Sequence, residues 1–359
     1  MSRCGLHGAG ARAVLPCVCL VAMACTRPPS ASDLAEETQG FVIRESREIM
    51  STTFEISVAA GPEHDASTVR PSLEAALDEV ARIERVMSPY LPDSEVSRVN
   101  AAAGGAPVVV SSELFGLVER SVALCEATDG LMDISFMPLG RVWDFRAEPF
   151  VPPSDEQIAQ AMALVDCQAI ELDGEVGTLR LPAPGMAIGL GAVAKGYAVD
   201  RASSVLSAAG FANHLVNGGG DVLARGAKAD GPWMVGLRHP RGERGALMGS
   251  MPLRDAAMVT SGDYERFVDY QGVRYHHIID PRTGRPAQGL ASVSVVDGSA
   301  ERADALATAL LAAGPDEAER LRQALGVEAL WVDSDGTVTA SPGLAAVALI
   351  GREGPAPAP

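Results

Sequence analysis

"GFVIRESREIMSTTFEISVAA" (residues 40–60) holds two extended runs in which apolar and polar residues alternate. Side chains of a strand point to opposite faces in turn, so this alternation predicts paired strands. Four longer stretches follow with helical spacing instead. "PSLEAALDEVARIERVMSPY" places Leu73, Leu77, Val80, Ile83 and Val86 on one stripe. "SSELFGLVERSVALCEATDG" opens with a serine cap and closes at Gly130; "AVAKGYAVDRASSVLSAAG" closes at Gly210; "ERADALATALLAAGP" closes at Gly314-Pro315. Short β runs lie between them: "HLVNGG", "WMVGLRH", "RFVDY", "VRYHHIID", "ASVSVV" and "EALWVD". Helices and strands interleave irregularly and hairpins are common. That pattern predicts an α+β fold with mixed or antiparallel sheets and packed helices, not a doubly wound parallel sheet.

The ends of the chain read differently. Residues 1–12 carry Arg3 and Arg12 and no acid, and the apolar run "AVLPCVCLVAMAC" that follows is too short to span a bilayer. This is the pattern of an export signal over residues 1–24, with Cys25 placed for acylation as a lipoprotein anchor. Ordinary signal cleavage nearby is the alternative, since Ala22 stands where a lipoprotein signal usually has leucine. Residues 25–40 read as a flexible tether, 41–350 as one folded domain, and 351–359 as a disordered tail. The expected location is therefore outside the cytoplasm, anchored to a membrane. Cleavage before Cys25 leaves Cys125 and Cys167 as the internal cysteines. They are either buried thiols or one optional bridge, and no metal spacing accompanies them.

The 359 residues are 47% hydrophobic and 4% aromatic, which predicts an aliphatic core. The formal charge of −17 repels phosphate backbones and argues against nucleic acid as a partner. A phosphate-bearing ligand would need a local remedy: a metal ion, a lysine, or backbone N–H groups at a helix start.

Four stretches could carry chemistry. In "ERADALATALL", Asp304 and Thr308 stand four apart, so on a helix they share a face. A carboxylate and a hydroxyl there make a partial site for a hard cation such as Mg²⁺; they equally suit a helix face turned to solvent. In "AIGLGAVAKGYAVD", Gly189 and Gly191 precede Lys195 at a helix start, which fits an anion or a packing turn. In "LVNGGGDVLARG", Asn217 and Asp221 flank three glycines, which fit a close ligand or a hairpin turn. In "VRYHHIIDPRTG", His276 and His277 point to opposite faces of a strand, so only one can face a given pocket. Either is a candidate general base, or a half-buried structural histidine.

Order and wording together say more. The chain resembles the ApbE family of FAD:protein FMN transferases in eight collinear motifs: "MST" (50–52), "SPYLPDSEVSRVN" (88–100), "TDGLMDISFMPL" (128–139), "GLGAVAKGYAVD" (189–200), "VNGGGDV" (216–222), "TSGDYERF" (260–267), "YHHIIDPRTGRP" (275–286) and "ADALATAL" (303–310). The resemblance implies a T-fold-like architecture in a single catalytic domain. It implies FAD as substrate with Mg²⁺, transfer of FMN to a threonine of an exported or membrane redox protein, and release of AMP. Residue by residue, Asp304, Thr308 and the carbonyl of Ala192 match the family's metal ligands. Lys195, Asn100 and Asp133 match residues of the FAD site, and so does Met50. His277 matches the proposed catalytic histidine.

Three departures stand out. Ser51 replaces the commoner glycine of Met-Gly-Thr. Ile134 and Ser135 replace a Pro-Thr pair after the aspartate. Gly189 stands where many members carry an aspartate.

Overall fold

The computed structural model describes residues 41–349 apart from 62, 63, 244 and 346. The expected signal, Cys25, the tether and the tail lie outside the described residues. An eight-stranded sheet forms the frame, in the order Phe41–Ile49, Thr52–Ala60, His214–Gly218, Asp221–Arg225, Ala256–Gly262, Leu290–Asp297, Glu328–Asp333 and Val338–Ala340. Spatial order equals chain order, and every pairing is antiparallel. The fold is thus a meander whose connections carry helices and hairpins, in line with the α+β expectation.

The opening hairpin forms as the alternation predicts, with Ile49 opposite Thr52. A two-residue turn in that register suits the twist of the strands only with positive φ at both positions. Met50 and Ser51 adopt φ of 55° and 61°. Ser51 therefore occupies a conformation in which glycine carries no steric penalty.

Three helices cover one face of the sheet. Ala66–Met87 packs on the first two strands, Ala194–Ala208 on the next two, and Ala300–Ala313 on Ala256–Gly262 and Leu290–Asp297. The first begins at an Asp65–Thr68 capping box and buries Leu73, Leu77, Val80 and Ile83. Val86 packs half-buried against the same core, and Met87 is buried beside it. The serine cap of Ser112–Ala127 is Ser111, whose hydroxyl accepts the Leu114 N–H at 3.2 Å.

The other sheet face is partly covered by a three-stranded sheet of Trp233–Arg238, Leu247–Leu253 and Ala348–Leu349. The main core is aliphatic, as composition suggests. Phe54, Phe211 and Trp331 join it, while Trp143, Phe145, Phe150, Tyr270 and Tyr275 form a satellite cluster. Trp143 stacks on Tyr275 at 5.7 Å and donates its indole N–H to the Gly284 carbonyl at 2.7 Å. This cluster fixes the hairpin Phe267–Tyr270/Val273–His276, whose turn uses Gln271 and Gly272.

The run "VRYHHIID" is not one continuous strand. Val273–His276 ends at the first histidine, and Ile279–Asp280 pairs separately with Arg285–Pro286. His277 lies at the break. The alternation of faces survives it: His276, Ile278 and Asp280 are buried, while Val273 is exposed. Cys125 and Cys167 form a disulfide, so the cysteine alternatives resolve to a bridge.

Candidate active site

Lys195 lies in the first turn of Ala194–Ala208, and Asp304 and Thr308 lie one turn apart on Ala300–Ala313. These two helices touch closely because Gly196 has no side chain: a Cβ there would sit 2.1 Å from the Ala300 carbonyl oxygen. Asp200 locks the same contact. Its carboxylate accepts the Ser299 hydroxyl at 2.7 Å and the Ala300 and Glu301 N–H groups at 2.9 and 3.0 Å. It thus caps the neighbouring helix, and the helix register that presents Asp304 to Lys195 is fixed.

The Lys195 ammonium contacts Asp221 Oδ2 and lies 3.4 Å from both oxygens of Asp304. Asp221 is 2% exposed and Asp304 3%, so two buried carboxylates share one ammonium. Burial works against the charge on Lys195, but the two carboxylates outweigh it and raise its pKa. Burial raises the pKa of Asp221, against the pull of Lys195 and with the charge of Asp304 adding. Thr308 Oγ1 lies 3.4 Å from Ser261 Oγ on the adjoining strand. Ala192 is half-buried in the turn just before Ala194–Ala208, and Gly196, four residues on, donates its N–H to Asp304 Oδ2 at 3.2 Å.

These donors fit a hard cation. A buried carboxylate, a hydroxyl one turn away and a backbone carbonyl are oxygen ligands of the kind Mg²⁺ takes. The charge fits as well: two buried carboxylates face one ammonium, and the raised Asp221 pKa shows that added positive charge is favoured there.

The other candidates surround the segment leading into this cluster. Asn100 pairs with Ile188 in both directions, its amide donating to the carbonyl at 2.9 Å and its oxygen accepting the N–H at 2.8 Å. Asp133 accepts the Ser135 N–H and hydroxyl, both at 2.6 Å, and the Cys167 N–H at 3.1 Å. Burial raises its pKa against those bonds. The next residue, Ile134, accepts the Gly189 N–H at 2.7 Å. Met50 stands in the first hairpin turn, its N–H donating to Glu84 Oε1 at 2.9 Å. That turn lies against the glycines before Asp221, since a Cβ at Gly219 would meet Thr52 Oγ1 at 2.2 Å. A groove of about 390 Å³ opens beside Asn100, lined also by Tyr90, Ser97, Met137 and Arg141.

The histidines separate as their opposite facing requires. His276 is buried, with Nε2 at 2.8 Å from the Ala287 carbonyl across the Asp-Pro-Arg-Thr-Gly turn. His277 is half-buried, and its Nδ1 has no hydrogen-bond partner. Burial pushes its pKa down to about 4, with the charges of Arg266, His276 and Lys195 adding. The ring is therefore neutral at physiological pH and, by its burial, a weaker base than a free imidazole.

Sequence reading noticed Asp221 only as a residue flanking glycines, and it missed Asp200 and Trp143. The signal for Asp221 was present: a carboxylate directly after a glycine turn that ends on a central strand.

The family model for ApbE matches residues 50–331. The FAD:protein FMN transferase of Vibrio cholerae is 33% identical over 288 residues, covering 79% of this chain and 85% of its own. The FAD:protein FMN transferase of Treponema pallidum is 36% identical over 299 residues, covering 77% and 82%. Among solved structures, an ApbE protein of Thermotoga maritima superimposes with a TM-score of 0.77 at 31% identity, covering 85% of this chain and 98% of its own. The flavin transferase ApbE of Vibrio cholerae gives 0.74 at 32% identity, covering 84% and 98%. On the family match and the superposition, this chain belongs to the ApbE family.

Proposed function

We propose that this chain is an FAD:protein FMN transferase that moves FMN from FAD to a threonine hydroxyl of an acceptor protein and releases AMP. The observation that carries the reading is the Lys195–Asp221–Asp304 cluster, with the Thr308 hydroxyl one turn from Asp304 and His277 close enough for the Lys195 charge to act on it. The relatives' names supply the substrates. The groove beside Asn100 is the place for the flavin ring, and the Gly189–Lys195 turn is the place for the diphosphate.

In this reading Asp304, Thr308 and the Ala192 carbonyl hold Mg²⁺. When bound, that ion neutralises charge on the diphosphate and on the departing phosphate. The remaining work belongs to side chains. Lys195 adds a fixed positive charge beside the diphosphate. His277 takes the proton of the attacking hydroxyl as the new oxygen–phosphorus bond forms and the bond to the AMP phosphate breaks. A base so placed contributes about 10²–10⁴ in rate. Phosphoryl transfer of this kind is mostly positioning and charge neutralisation, which a rigid two-helix site supplies.

Export and attachment through Cys25 belong to the same proposal. The Cys125–Cys167 bridge supports it, because such bonds persist in oxidising compartments.

The test is a transfer assay with FAD, Mg²⁺ and a threonine-bearing acceptor domain, read by mass spectrometry. An FMN-sized adduct and AMP, both lost with EDTA, are expected. AMP with free FMN and no adduct on any acceptor would replace transfer by hydrolysis. Absence of AMP would overturn the enzymatic reading.

A further inference from the structure

The bonds around Asp304 are all long. Its oxygens receive Lys195 Nζ at 3.4 Å twice and the Gly196 N–H at 3.2 Å. Charge-assisted N–H···O bonds normally run at about 2.7–2.9 Å. A carboxylate that is 3% exposed is thus left weakly satisfied, although an ammonium on a flexible stem lies within reach of it. The ammonium is held elsewhere, in direct contact with Asp221 Oδ2.

Asp221 is fixed for that task. It follows the turn Gly218–Gly220, in which Gly219 and Gly220 take φ of 67° and 106° and Asn217 Oδ1 accepts the Gly220 N–H at 2.9 Å. It opens the strand Asp221–Arg225, flanked by strands on both sides, and pairs with Gly218. Its carboxylate cannot follow the lysine, so the lysine comes to it. The cation type matters too. The chain contains only two lysines, Lys195 and Lys228, and otherwise uses arginine. An arginine fork would bridge both carboxylates and fill the space between them, whereas an ammonium is a compact charge that rests on one.

We propose that Asp221 is a positioning residue that holds the Lys195 ammonium off Asp304 and so keeps the cation position beside Asp304 and Thr308 open. The proposal rests on the cation reading above and adds to it the reason that a lysine so close does not close the site. Without the Asp221 charge, Asp304 is the carboxylate left to Lys195 among the described residues. The ammonium then moves onto it and competes with the metal.

The experiment is a Mn²⁺ titration of the nucleotide-free protein followed by electron paramagnetic resonance. It uses the intact chain as wild type, Asp304→Ala, Asp221→Asn, Lys195→Met and the double variant Asp221→Asn/Lys195→Met. Asp304→Ala should abolish the site; wild-type binding that does not depend on Asp304 would overturn the cation reading itself. Asp221→Asn should weaken Mn²⁺ by about 10- to 100-fold, the worth of a hydrogen bond to a charged group. In the Lys195→Met background the same substitution should have almost no effect, because there is no ammonium to misplace. Equal weakening in both backgrounds would overturn the proposal by making Asp221 act on the cation directly, and so would unchanged affinity in Asp221→Asn. If Asp221→Asn does not fold, Lys195→Met alone decides: it should bind Mn²⁺ at least as tightly as wild type, and weaker binding overturns the proposal.

Discussion

A single methyl group at Gly196 tests the geometry of the site most directly. In Gly196→Ala the new Cβ would lie 2.1 Å from the Ala300 oxygen, 2.5 Å from its carbonyl carbon and 2.8 Å from Glu301 Cα. Carbon and oxygen approach no closer than about 3.3 Å in ordinary contacts, so the two helices must part by about 1 Å. These three nearest atoms are all backbone, so no rotamer change moves them away. Overpacking of this kind costs about 1–3 kcal/mol. The same movement stretches the three bonds from Asp200 that cap Ala300–Ala313, and a lost cap adds about 1 kcal/mol. The expected destabilisation is therefore about 2–4 kcal/mol, measured by urea unfolding. Gly191→Ala is the matched control, since a Cβ there meets nothing within 4 Å. Because Asp304 moves away from Lys195, FMN transfer by the folded variant should fall at least about tenfold, as small misplacements do at a site built on positioning. A Gly196→Ala protein with wild-type stability and rate would refute the claim that this crossing sets the site.

Other perturbations follow from the same geometry. Asp304→Ala leaves Lys195 paired with Asp221, so cooperative unfolding should persist while transfer falls by at least about a thousandfold, the scale of lost metal assistance; ordinary turnover in that variant would remove Asp304 from the site. The unfolded His277 ring takes a proton near its ordinary value of about 6.5. The folded ring refuses it until about pH 4. Its stabilisation is therefore full above the unfolded value and lost as the pH falls toward the folded one, and His277→Gln should flatten that part of a stability–pH curve. The acid limb of kcat/KM should likewise lie well below the ordinary imidazole value; a limb at that value would argue against this ring as the base. The Cys125–Cys167 bridge closes a loop with a sequence separation of 42. Its loss in Cys125→Ser should lower stability by about 4 kcal/mol on the chain-entropy estimate, read by urea unfolding.

Local pattern made much of the fold legible. Alternation identified the first hairpin, helical spacing identified Ala66–Met87, and glycines marked the ends of Ala194–Ala208 and Ala300–Ala313. Each of those signals lives within one element. The meander order of the sheet does not, because insertions separate strands that lie side by side. The strand Thr52–Ala60 and its neighbour His214–Gly218 are parted by two of the three packed helices. The site divides in the same way. Asp304 and Thr308 were visible because a helix turn brings them together. Asp221 was not, because its partner Lys195 precedes it on another element and Asp304 follows on a third.

The departures from the family's wording show how neighbours compensate. Gly189 stands where the resemblance leads one to expect an aspartate, and the space is already taken: a Cβ there would lie 2.6 Å from Met137 Sδ and 3.3 Å from the Phe136 ring. Ser135, in place of a threonine, keeps a hydroxyl that donates to Asp133 and accepts the Asp166 N–H at 2.8 Å. Asp133 and Gly189 are thus each held by contacts that the departing residues themselves make. The charge problem has no such local cure. In a chain of formal charge −17, the lysine at the site is already outnumbered by the two carboxylates it serves. A diphosphate arriving there meets a net negative charge, and burial makes that repulsion stronger than it would be in water. Lys195, already engaged by both carboxylates, has little charge to spare for the ligand. The proposed dication reverses the sign of the site: two positive charges added to two carboxylates and one ammonium leave an excess of positive charge facing the diphosphate. The proposed metal would then act before chemistry begins, in binding the anionic part of FAD as well as in stabilising the group that leaves.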